Sequence, residues 1–583
     1  MSRMIPCIVS RLMPRIAVVL LTIGGFTIRA SAQGGQSAPN LLLIVADDLG
    51  IDCVGCYGIA GAPPTPNLDN LAQTGMRFSG LYVNPTCTPT RASVLTGRYA
   101  FRTRAAASLG SGQPGIWASE VMISRPLACG GYAVAMIGKW HLGVRFGRVT
   151  PNLHGWTHFE GFLDGGIDDP FGWPRVCNGA GYTCADYVLT QQVDAAIAWI
   201  QARSSPWALS LMLSLPHTPR HAPPGHLHTQ NLAGLNPVTS PLPFHRAMVE
   251  AMDTEIGRLL ATLGPAVRAN TNIVFLGDNG TDNQVVQAPF QSGHAKGALF
   301  EQGCHVPLIV NGPAVATPGA VSTQLVSGVD LFPTMLDMCG INYPSPPLAS
   351  IAQPLDGVSF AGAIGGAPGA GRPFVYSEVE GSLFGQGYCV RTATHRLIRY
   401  TRILPQHQEL YDLVADPLEQ NDLLAAPLTP ANQAAFLQLL GFMDQVRQDG
   451  WAEQFGTGCP GAAGVPLIRT VTNPCVGQLF VAQLANLPPS CIAAFGYFGL
   501  SRREFGTANP PVDLSGIGMP GCLLFVEPQR PCSFFPFSMT SLMLPNTPAL
   551  YQSELFLQGF AVEPGSNPAG VVASRGLRCV IGH

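Results

Sequence analysis

Short apolar runs alternate with amphipathic stretches through the first part of the chain. Residues 41–46 and 273–276 are unbroken apolar runs, a pattern typical of strands buried on both faces of a sheet. Residues 185–203 instead space their apolar side chains along one face of a helix. Strands alternate with such helices up to about residue 340, and this order predicts a mixed, mainly parallel sheet in an α/β fold.

The pattern changes after a Gly/Pro/Ala-rich stretch at residues 365–373. Beyond it, a hairpin and a further strand are predicted between residues 388 and 413, followed by a closing helix at 431–448. These elements predict a smaller α+β subdomain. From residue 456 onward, short apolar runs separated by Pro, Gly and Asn, with cysteines throughout, predict an appended disulfide-stapled β-sandwich.

The N-terminal segment has the order of a secretory signal. Three arginines precede a short apolar run at residues 16–23, and Ala30-Ser31-Ala32 follows as a small-residue cleavage site. The apolar run is shorter than the roughly 20 residues that span a bilayer. We therefore expect a cleaved signal, a secreted or periplasmic protein that begins near Gln33, and no membrane segment after cleavage.

These patterns divide the chain into four predicted segments. They are a signal peptide at residues 1–32, a catalytic domain at 33–365, a smaller α+β subdomain at 373–450, and a cysteine-containing β-rich domain of unassigned role at 456–583. The formal net charge of −3 gives no electrostatic support for a nucleic-acid or anionic-membrane partner.

The 16 cysteines fit an exported protein, because disulfides persist outside the cytosol. Cys177 and Cys184 flank a short Gly/Tyr loop and are expected to pair. Cys53 and Cys56 form a lone C-x-x-C without a second pair, and we interpret them as structural. Six C-terminal cysteines are compatible with three bridges of open connectivity, namely Cys459, Cys475, Cys491, Cys522, Cys532 and Cys579.

Carboxylates follow two of the buried strands. Asp47 and Asp48 end the first apolar run, and Asp278 and Asn279 end the run at 273–276. Open α/β sheets bind ligands at the carboxyl ends of their strands, and adjacent carboxylates repel one another unless a cation lies between them. Hard cations such as Ca²⁺ or Mg²⁺ prefer these oxygen ligands. The alternative for the first pair is an Asp-Asp turn on the surface.

Only two lysines occur in the chain, whereas arginine supplies all the other basic side chains. Lys139 lies in G-K-W-H-L-G after a short apolar run, and Lys296 lies in G-H-A-K-G. Because lysine and arginine are not interchangeable at an oxyanion, both lysines are candidates for chemistry. His141 would point the same way as Lys139 from an extended segment. His217 follows another buried strand, where a structural or surface role is the alternative.

The sequence Cys87-Thr88-Pro89-Thr90-Arg91 predicts a reactive residue at a strand-to-helix corner. Pro89 suits the first turn of a helix, and the N-terminus of that helix favours an anion beside Cys87. Arg91, about one turn further on, is a candidate bidentate oxyanion donor.

The run at residues 87–98, C-T-P-T-R-A-S-V-L-T-G-R, resembles the sulfatase motif C-x-P-[ST]-R-x-x-x-L-T-G-R. The resemblance extends over roughly residues 38 to 425 and is closest to the arylsulfatase branch. It includes N-L-L-L-I-V-A-D-D-L-G, G-K-W-H-L-G, P-H-T-P around His217, G-D-N-G and E-L-Y-D-L-V-A-D-P. It implies an alkaline-phosphatase-like α/β fold, a mixed sheet sandwiched by helices. The C-terminal domain lies outside it.

The resemblance also implies a chemistry. A maturing enzyme would oxidise Cys87 to formylglycine, whose hydrated aldehyde would bind the cation and attack sulfur. Basic side chains would neutralise the sulfate oxygens, His217 or Lys296 would contact the leaving oxygen, and His141 would help the aldehyde to re-form. The implied cation ligands are Asp47, Asp48, Asp278, Asn279 and the residue derived from Cys87. The implied catalytic residues are Cys87, Arg91, Lys139, His141, His217 and Lys296.

The sequence therefore predicts an exported sulfatase that releases sulfate from an aryl or carbohydrate ester with formylglycine and Ca²⁺, or alternatively Mg²⁺. One alternative is a phosphonate monoester or phosphodiester hydrolase on the same scaffold, since such enzymes also use a C-x-P-x-R nucleophile. The other is a catalytically silent protein in which the C-terminal domain binds glycans or a cell surface.

Overall fold

The computed structural model describes most of residues 38–583. The predicted signal peptide and Cys475 lie outside the described residues. The remaining gaps are short, at 118, 205, 344–352, 368, 370, 383–384, 401–406, 448–450, 457, 471–473, 475–478, 488, 501–511, 526–529, 535–538, 546–549, 551–552 and 582–583.

An eleven-stranded mixed sheet is formed by strands between residues 40 and 327, in the order β10-β2-β9-β8-β1-β7-β3-β4-β5-β6, with β11 also paired to β2. The strands are β1 (Asn40–Ala46), β2 (Met76–Tyr82), β3 (Ala133–Lys139), β4 (His158–Phe162), β5 (Trp173–Cys177), β6 (Ala180–Cys184), β7 (Trp207–Met212), β8 (Thr271–Gly277), β9 (His305–Asn311), β10 (Ala320–Ser322) and β11 (Val326–Ser327).

Strand β1 lies at the middle of this sheet, parallel to β7 on one side and to β8 on the other. Every residue of β1 is buried, as its unbroken apolar run predicts. Leu41, Leu43 and Val45 pack into the core on one face, whereas the alternate residues Leu42 and Ile44 pack into the core on the other. The predicted α/β sheet, sandwiched by helices, is thereby confirmed.

Helices cover both faces of the sheet and close the smaller subdomain. They are α1 (Pro66–Gln73), α2 (Cys87–Thr96), α3 (Ala100–Thr103), α4 (Ser124–Cys129), α5 (Thr150–Leu153), α6 (Val188–Gln201), α7 (Pro241–Thr262), α8 (Gly264–Ala269), α9 (Glu301–Cys304), α10 (Leu331–Met338), α11 (Ala361–Ile364) and α12 (Pro430–Arg447). Within the described residues, no helix is both long and apolar enough to cross a bilayer.

The smaller subdomain is an antiparallel sheet of four consecutive strands that packs against α12. The predicted hairpin and the strand after it are confirmed. The strands are β12 (Val375–Ser382), β13 (Gly385–Arg391), β14 (His395–Tyr400) and β15 (His407–Asp412).

The C-terminal region is all-β, as predicted, with sheets ordered β16-β25-β24-β19-β22, β17-β18-β23 and β20-β21. Side chains from the first two sheets share one apolar core. The strands are β16 (Trp451–Phe455), β17 (Leu467–Thr470), β18 (Leu479–Ala485), β19 (Ala493–Gly499), β20 (Val512–Asp513), β21 (Leu523–Leu524), β22 (Arg530–Ser533), β23 (Met539–Met543), β24 (Glu554–Val562) and β25 (Val571–Val580).

One disulfide, Cys459–Cys522, occurs in the part of the chain that the structure describes, while Cys491 and Cys532 are free thiols. The predicted pairing of Cys177 with Cys184 is wrong. Cys177 lies opposite Ala180 in the β5–β6 hairpin, whereas Cys184 lies opposite Trp173. The two cysteines are therefore about four residues apart along the hairpin, roughly 13 Å, which is too far for a disulfide.

A buried charge network joins the C-terminal sheet to residues that follow helix α2. Arg578 on β25 is fully buried and donates hydrogen bonds to Glu120, at 3.2 Å, and to Glu554, at 2.7 Å. Glu120 also pairs with Arg98, the last residue of the cysteine motif, at 3.5 Å. Because the charges of this network are buried, each one depends on its partners for compensation.

We expect Arg578→Met to lower the free energy of unfolding by about 3 kcal/mol, because the change removes one partner from a buried ionic network. Arg575→Met on the same strand is the matched control, since Arg575 is partly exposed and such a change costs less than about 0.5 kcal/mol. Urea unfolding, followed by tryptophan fluorescence, measures both variants. Equal losses in the two variants would contradict the proposed stabilising role of this network.

Candidate active site

Cys87 is the first residue of α2 and is buried. Pro89 lies in the first turn of the helix, where its missing N–H leaves no hydrogen bond unmade. The helix ends at Gly97, whose φ of 71° is left-handed and whose missing Cβ leaves room for the Phe332 side chain. The motif thus encodes both ends of the helix that carries Cys87.

The predicted carboxylates meet because β1 and β8 are parallel neighbours with Ala46 opposite Gly277. Asp48 has a φ of 67°, and its backbone N–H donates to Asp278 Oδ1 at 3.0 Å. Asn279 Nδ2 donates to Asp48 Oδ1 at 2.9 Å. The sheet register therefore places both acid-bearing strand ends in one cluster.

Basic side chains surround this cluster. Lys139 Nζ donates to both oxygens of Asp47, at 2.9 and 2.7 Å, and Lys296 Nζ donates to Asp48 Oδ2 at 2.6 Å. Arg91 Nη2 donates to Asp278 Oδ2 at 2.8 Å. Each carboxylate thus has its own cationic partner.

The thiol of Cys87 adjoins the same cluster, with Sγ 3.5 Å from Asp47 Oδ1. Burial raises the pKa of Cys87, and the attraction of Lys139 is too weak to offset it. The unmodified side chain is therefore a neutral thiol at neutral pH, and the thiol is a poor nucleophile compared with the thiolate.

The carboxylates differ in their pKa. Burial, followed by the negative charge of Asp47, raises the pKa of Asp278 to about 6 in spite of Arg91. Burial also acts to raise the pKa of Asp48, but Lys296 outweighs it and holds that pKa well below its usual range. The crowding of negative charge is thus only partly relieved by the basic side chains.

Both predicted histidines lie beside the cluster as neutral rings. His217 Nε2 is 3.9 Å from Asp48 Oδ2, and burial lowers the pKa of His217 to about 4 although Asp48 opposes the shift. Burial, reinforced by Lys139, lowers the pKa of His141 well below its usual range. His141 Nε2 lies 2.9 Å from the carbonyl oxygen of Leu109, and Nδ1 has no hydrogen-bond partner among the described residues.

Several residues around the histidines were not anticipated from the sequence. Thr88 Oγ1 donates to the carbonyl oxygen of His141 at 3.0 Å and accepts from the N–H of Leu109 at 3.3 Å. A Cβ at Gly165 would lie 2.5 Å from His141 Nε2, so a larger residue at this position would displace the imidazole ring. Thr88 follows Cys87 directly in the motif, and this position was the one sequence feature that could have indicated that Thr88 lies at the site. Leu109 and Gly165 carry no chemical signal in the sequence.

The side-chain oxygens of this cluster fit a divalent cation, and one unpartnered oxygen supports that fit. Asn279 Oδ1 is buried and has no hydrogen-bond partner in the described part of the chain, which is unusual for a buried amide oxygen. Asp47, Asp48, Cys87 and His217 also each offer a ligand atom within 4.8 Å of one another. An orphaned oxygen beside three carboxylates suits a hard cation such as Ca²⁺ or Mg²⁺.

Cys87 lies buried at a helix N-terminus, among basic side chains and carboxylates at one edge of a mixed sheet. This arrangement is typical of a site that binds an oxyanion. Two family models match the chain: "Sulfatase" at residues 39–341 and "N-sulphoglucosamine sulphohydrolase, C-terminal" at residues 293–445. The chain belongs to the sulfatase family, whose members hydrolyse sulfate esters, and it is an enzyme of that class.

Known proteins agree with this assignment. The chain is 30% identical over 450 residues to human arylsulfatase A, covering 69% of this chain and 87% of that protein. It is 31% identical over 362 residues to human N-acetylgalactosamine-6-sulfatase, covering 54% and 64%. The solved structure of Ps i-CgsB with a neocarrahexaose shares the fold, with a TM-score of 0.60 and 25% identity, covering 70% and 92%.

We expect Thr88→Val to lower kcat for an aryl sulfate by about 3- to 10-fold, because one hydrogen bond that positions His141 contributes roughly 1 kcal/mol. KM should change little, since Thr88 bonds to the backbone of His141 and Leu109. Thr88→Ser keeps the hydroxyl and serves as the matched control. A loss of kcat as large in the serine variant would contradict the positioning role.

Proposed function

We propose that this enzyme is an exported, arylsulfatase-like sulfuric ester hydrolase that uses formylglycine, formed from Cys87, together with a divalent cation. The observation that carries this proposal is the position of Cys87, 3.5 Å from Asp47 at a helix N-terminus. A sulfatase-maturing enzyme is the implied partner for the conversion. The names of the relatives include both an arylsulfatase and a carbohydrate sulfatase, so the proposed substrate is an aryl or carbohydrate sulfate.

The cation would be held by oxygens of Asp47, Asp48, Asp278 and Asn279, together with the side chain derived from Cys87. The donors are oxygens and most are anionic, which favours Ca²⁺, with Mg²⁺ as the alternative. When bound, the cation supplies Lewis-acid polarisation of the oxygens around it.

The formylglycine derived from Cys87 would supply, when hydrated, a hydroxyl nucleophile and a second hydroxyl whose deprotonation re-forms the aldehyde. Cysteine itself offers only one reactive atom, so a sulfated thiol would lack that second hydroxyl and the elimination that it permits. This difference explains why the motif requires a modified residue.

The basic side chains bind and orient the sulfate group. Arg91, Lys139 and Lys296 place fixed positive charge near the N-terminus of α2, and Arg91 and Lys139 are fully buried. Preorganised charge in a water-poor site stabilises developing negative charge more strongly than the same charge does in water. The ion pairs with the carboxylates hold these cations in place before substrate binds.

His217 and Lys296 contact the leaving oxygen, and His141 accepts a proton. His217 lies 3.9 Å from Asp48, which in turn contacts Lys296, and Lys296 carries the proton that the neutral ring of His217 lacks. His141 is neutral because burial and Lys139 lower its pKa, and a neutral ring accepts a proton. We assign His141 the removal of the proton that allows the aldehyde to re-form.

Protein from the native host should contain formylglycine at position 87, and Cys87→Ala should lose at least a thousandfold in kcat/KM, on the order expected when a nucleophile is removed. Mass spectrometry of the Cys87 peptide measures the conversion, and an aryl sulfate assay measures the loss. Cys53→Ala, which changes another buried thiol of the catalytic domain, is the matched control.

Two outcomes would contradict the proposal. Unmodified cysteine alone at position 87, in active protein from the native host, would rule out the formylglycine mechanism. A higher kcat/KM for an aryl phosphonate than for the matching aryl sulfate would instead favour the phosphonate hydrolase alternative.

Removal of divalent cations with a chelator should abolish sulfate release, and Ca²⁺ should restore it. Asn279→Ala should raise the Ca²⁺ concentration for half-maximal activity by about tenfold, since one neutral ligand oxygen is lost while the carboxylates stay. Asn70→Ala, at an exposed position of α1, is the control. Full activity in chelator, confirmed by metal analysis, would show that no cation is needed.

A further inference from the structure

A second group of metal-ligating side chains lies outside the active site, at the β4–β5 edge of the main sheet. His158 and Glu160 are two residues apart on β4 and therefore point to the same face. Cys177 on β5 lies directly opposite Glu160 in the antiparallel register. One ligand atom from each of the three lies within 4.8 Å of the others, and all three residues are partly buried.

The spacing suits a tetrahedral ion. His158 Nε2 and Glu160 Oε2 are 3.1 Å apart, and a tetrahedral Zn²⁺ with bonds of about 2.0–2.1 Å would hold them about 3.3 Å apart. Imidazole, carboxylate and thiolate are all zinc ligands, and mixed nitrogen and sulfur donors distinguish this group from the oxygen-rich active site. Three protein ligands on a partly exposed face leave a fourth position for water.

Arg175 orients Glu160 for the proposed site, whereas Asn178 favours the metal-free tautomer of His158. Arg175 contacts the other carboxylate oxygen of Glu160, Oε1, and this leaves Oε2 turned toward His158. Asn178 Nδ2 lies 3.3 Å from His158 Nδ1, while Asn178 Oδ1 accepts from the N–H of Phe159 at 2.9 Å. A metal on Nε2 requires a proton on Nδ1, so the present amide offers a donor where an acceptor would stabilise the bound state.

We propose that His158 Nε2, Glu160 Oε2 and Cys177 Sγ form a Zn²⁺ site that is separate from the active site. Binding displaces the thiol proton of Cys177 to solvent and moves the imidazole proton from Nε2 to Nδ1. Cysteine contributes the soft ligand that favours Zn²⁺ over Ca²⁺ or Mg²⁺.

The position of the site gives it a structural consequence. β4 ends at Phe162 and β5 begins at Trp173, so the metal would tie together the two strands from which the connecting loop emerges. In this loop, Gly165 lies against His141 and Gly166 lies against His217. Zn²⁺ would therefore hold the two strands together at the end opposite this loop, two to four residues from the points where the loop leaves β4 and enters β5.

The test uses Co²⁺ as a spectroscopic probe of the full-length protein, reduced and freed of metal by a chelator. Cys87→Ala is the background, so that the active-site thiol makes no contribution. We expect a near-ultraviolet thiolate-to-cobalt charge-transfer band that saturates at one Co²⁺ per chain and is displaced by Zn²⁺. Cys177→Ser should abolish the band, and His158→Ala should weaken Co²⁺ binding at least tenfold.

Cys184→Ser is the matched control, because Cys184 lies in the same hairpin and near Arg175 but outside the ligand set. Asn178→Asp is a variant expected to gain affinity, since a carboxylate would accept the proton on His158 Nδ1 and tighten Zn²⁺ binding by roughly tenfold. A band that persists in Cys177→Ser, or no band at saturating Co²⁺, would overturn the proposal. Neither result depends on whether the protein hydrolyses sulfate esters.

Discussion

Three buried carboxylates crowded at one edge of the sheet are the constraint on which the active site depends. Asp47, Asp48 and Asp278 cannot avoid one another, because β1 and β8 are parallel neighbours in a register that brings their carboxyl ends together. Buried charge is tolerated only when it is paired. The requirement for compensation accounts for the positions of Lys139, Lys296 and Arg91, each of which contacts one of these carboxylates.

The same ion pairs would prepare the site for the proposed substrate. A lysine or arginine that is already held by a buried carboxylate loses little freedom when a sulfate oxygen arrives, so less free energy is spent on ordering it. The raised pKa of Asp278 and the orphaned oxygen of Asn279 show that basic side chains alone do not complete the cluster. A cation between the carboxylates would satisfy both, and it would make the surroundings of Cys87 and the proposed cation site one electrostatic unit.

Local patterns in the sequence were sufficient to predict the central strands, the helix within residues 185–203 and the strand-end side chains, because buried parallel strands leave a continuous apolar signal. They were sufficient for the cluster too, since parallel strands end at the same edge. The local patterns did not predict strand register. The spacing of Cys177 and Cys184 indicated a disulfide, yet the register of the hairpin separates the two residues. Thr88 contacts the carbonyl oxygen of His141, and Gly165 lies against the His141 ring. Both contacts involve the loops that follow β3 and β4, whose paths leave no periodic pattern.

Buried ion pairs connect the C-terminal sheet to the last residue of the cysteine motif. Arg98 ends the motif and pairs with Glu120, and Glu120 in turn accepts from Arg578 of the last strand. All three side chains are buried. Arg578 of the C-terminal sheet therefore completes the charge pairing of Glu120 and Arg98, which lies just beyond the end of helix α2. A detachable binding module would leave these charges uncompensated when it separated. The contacts therefore favour a domain that stabilises the catalytic helix, whatever else its exposed face binds.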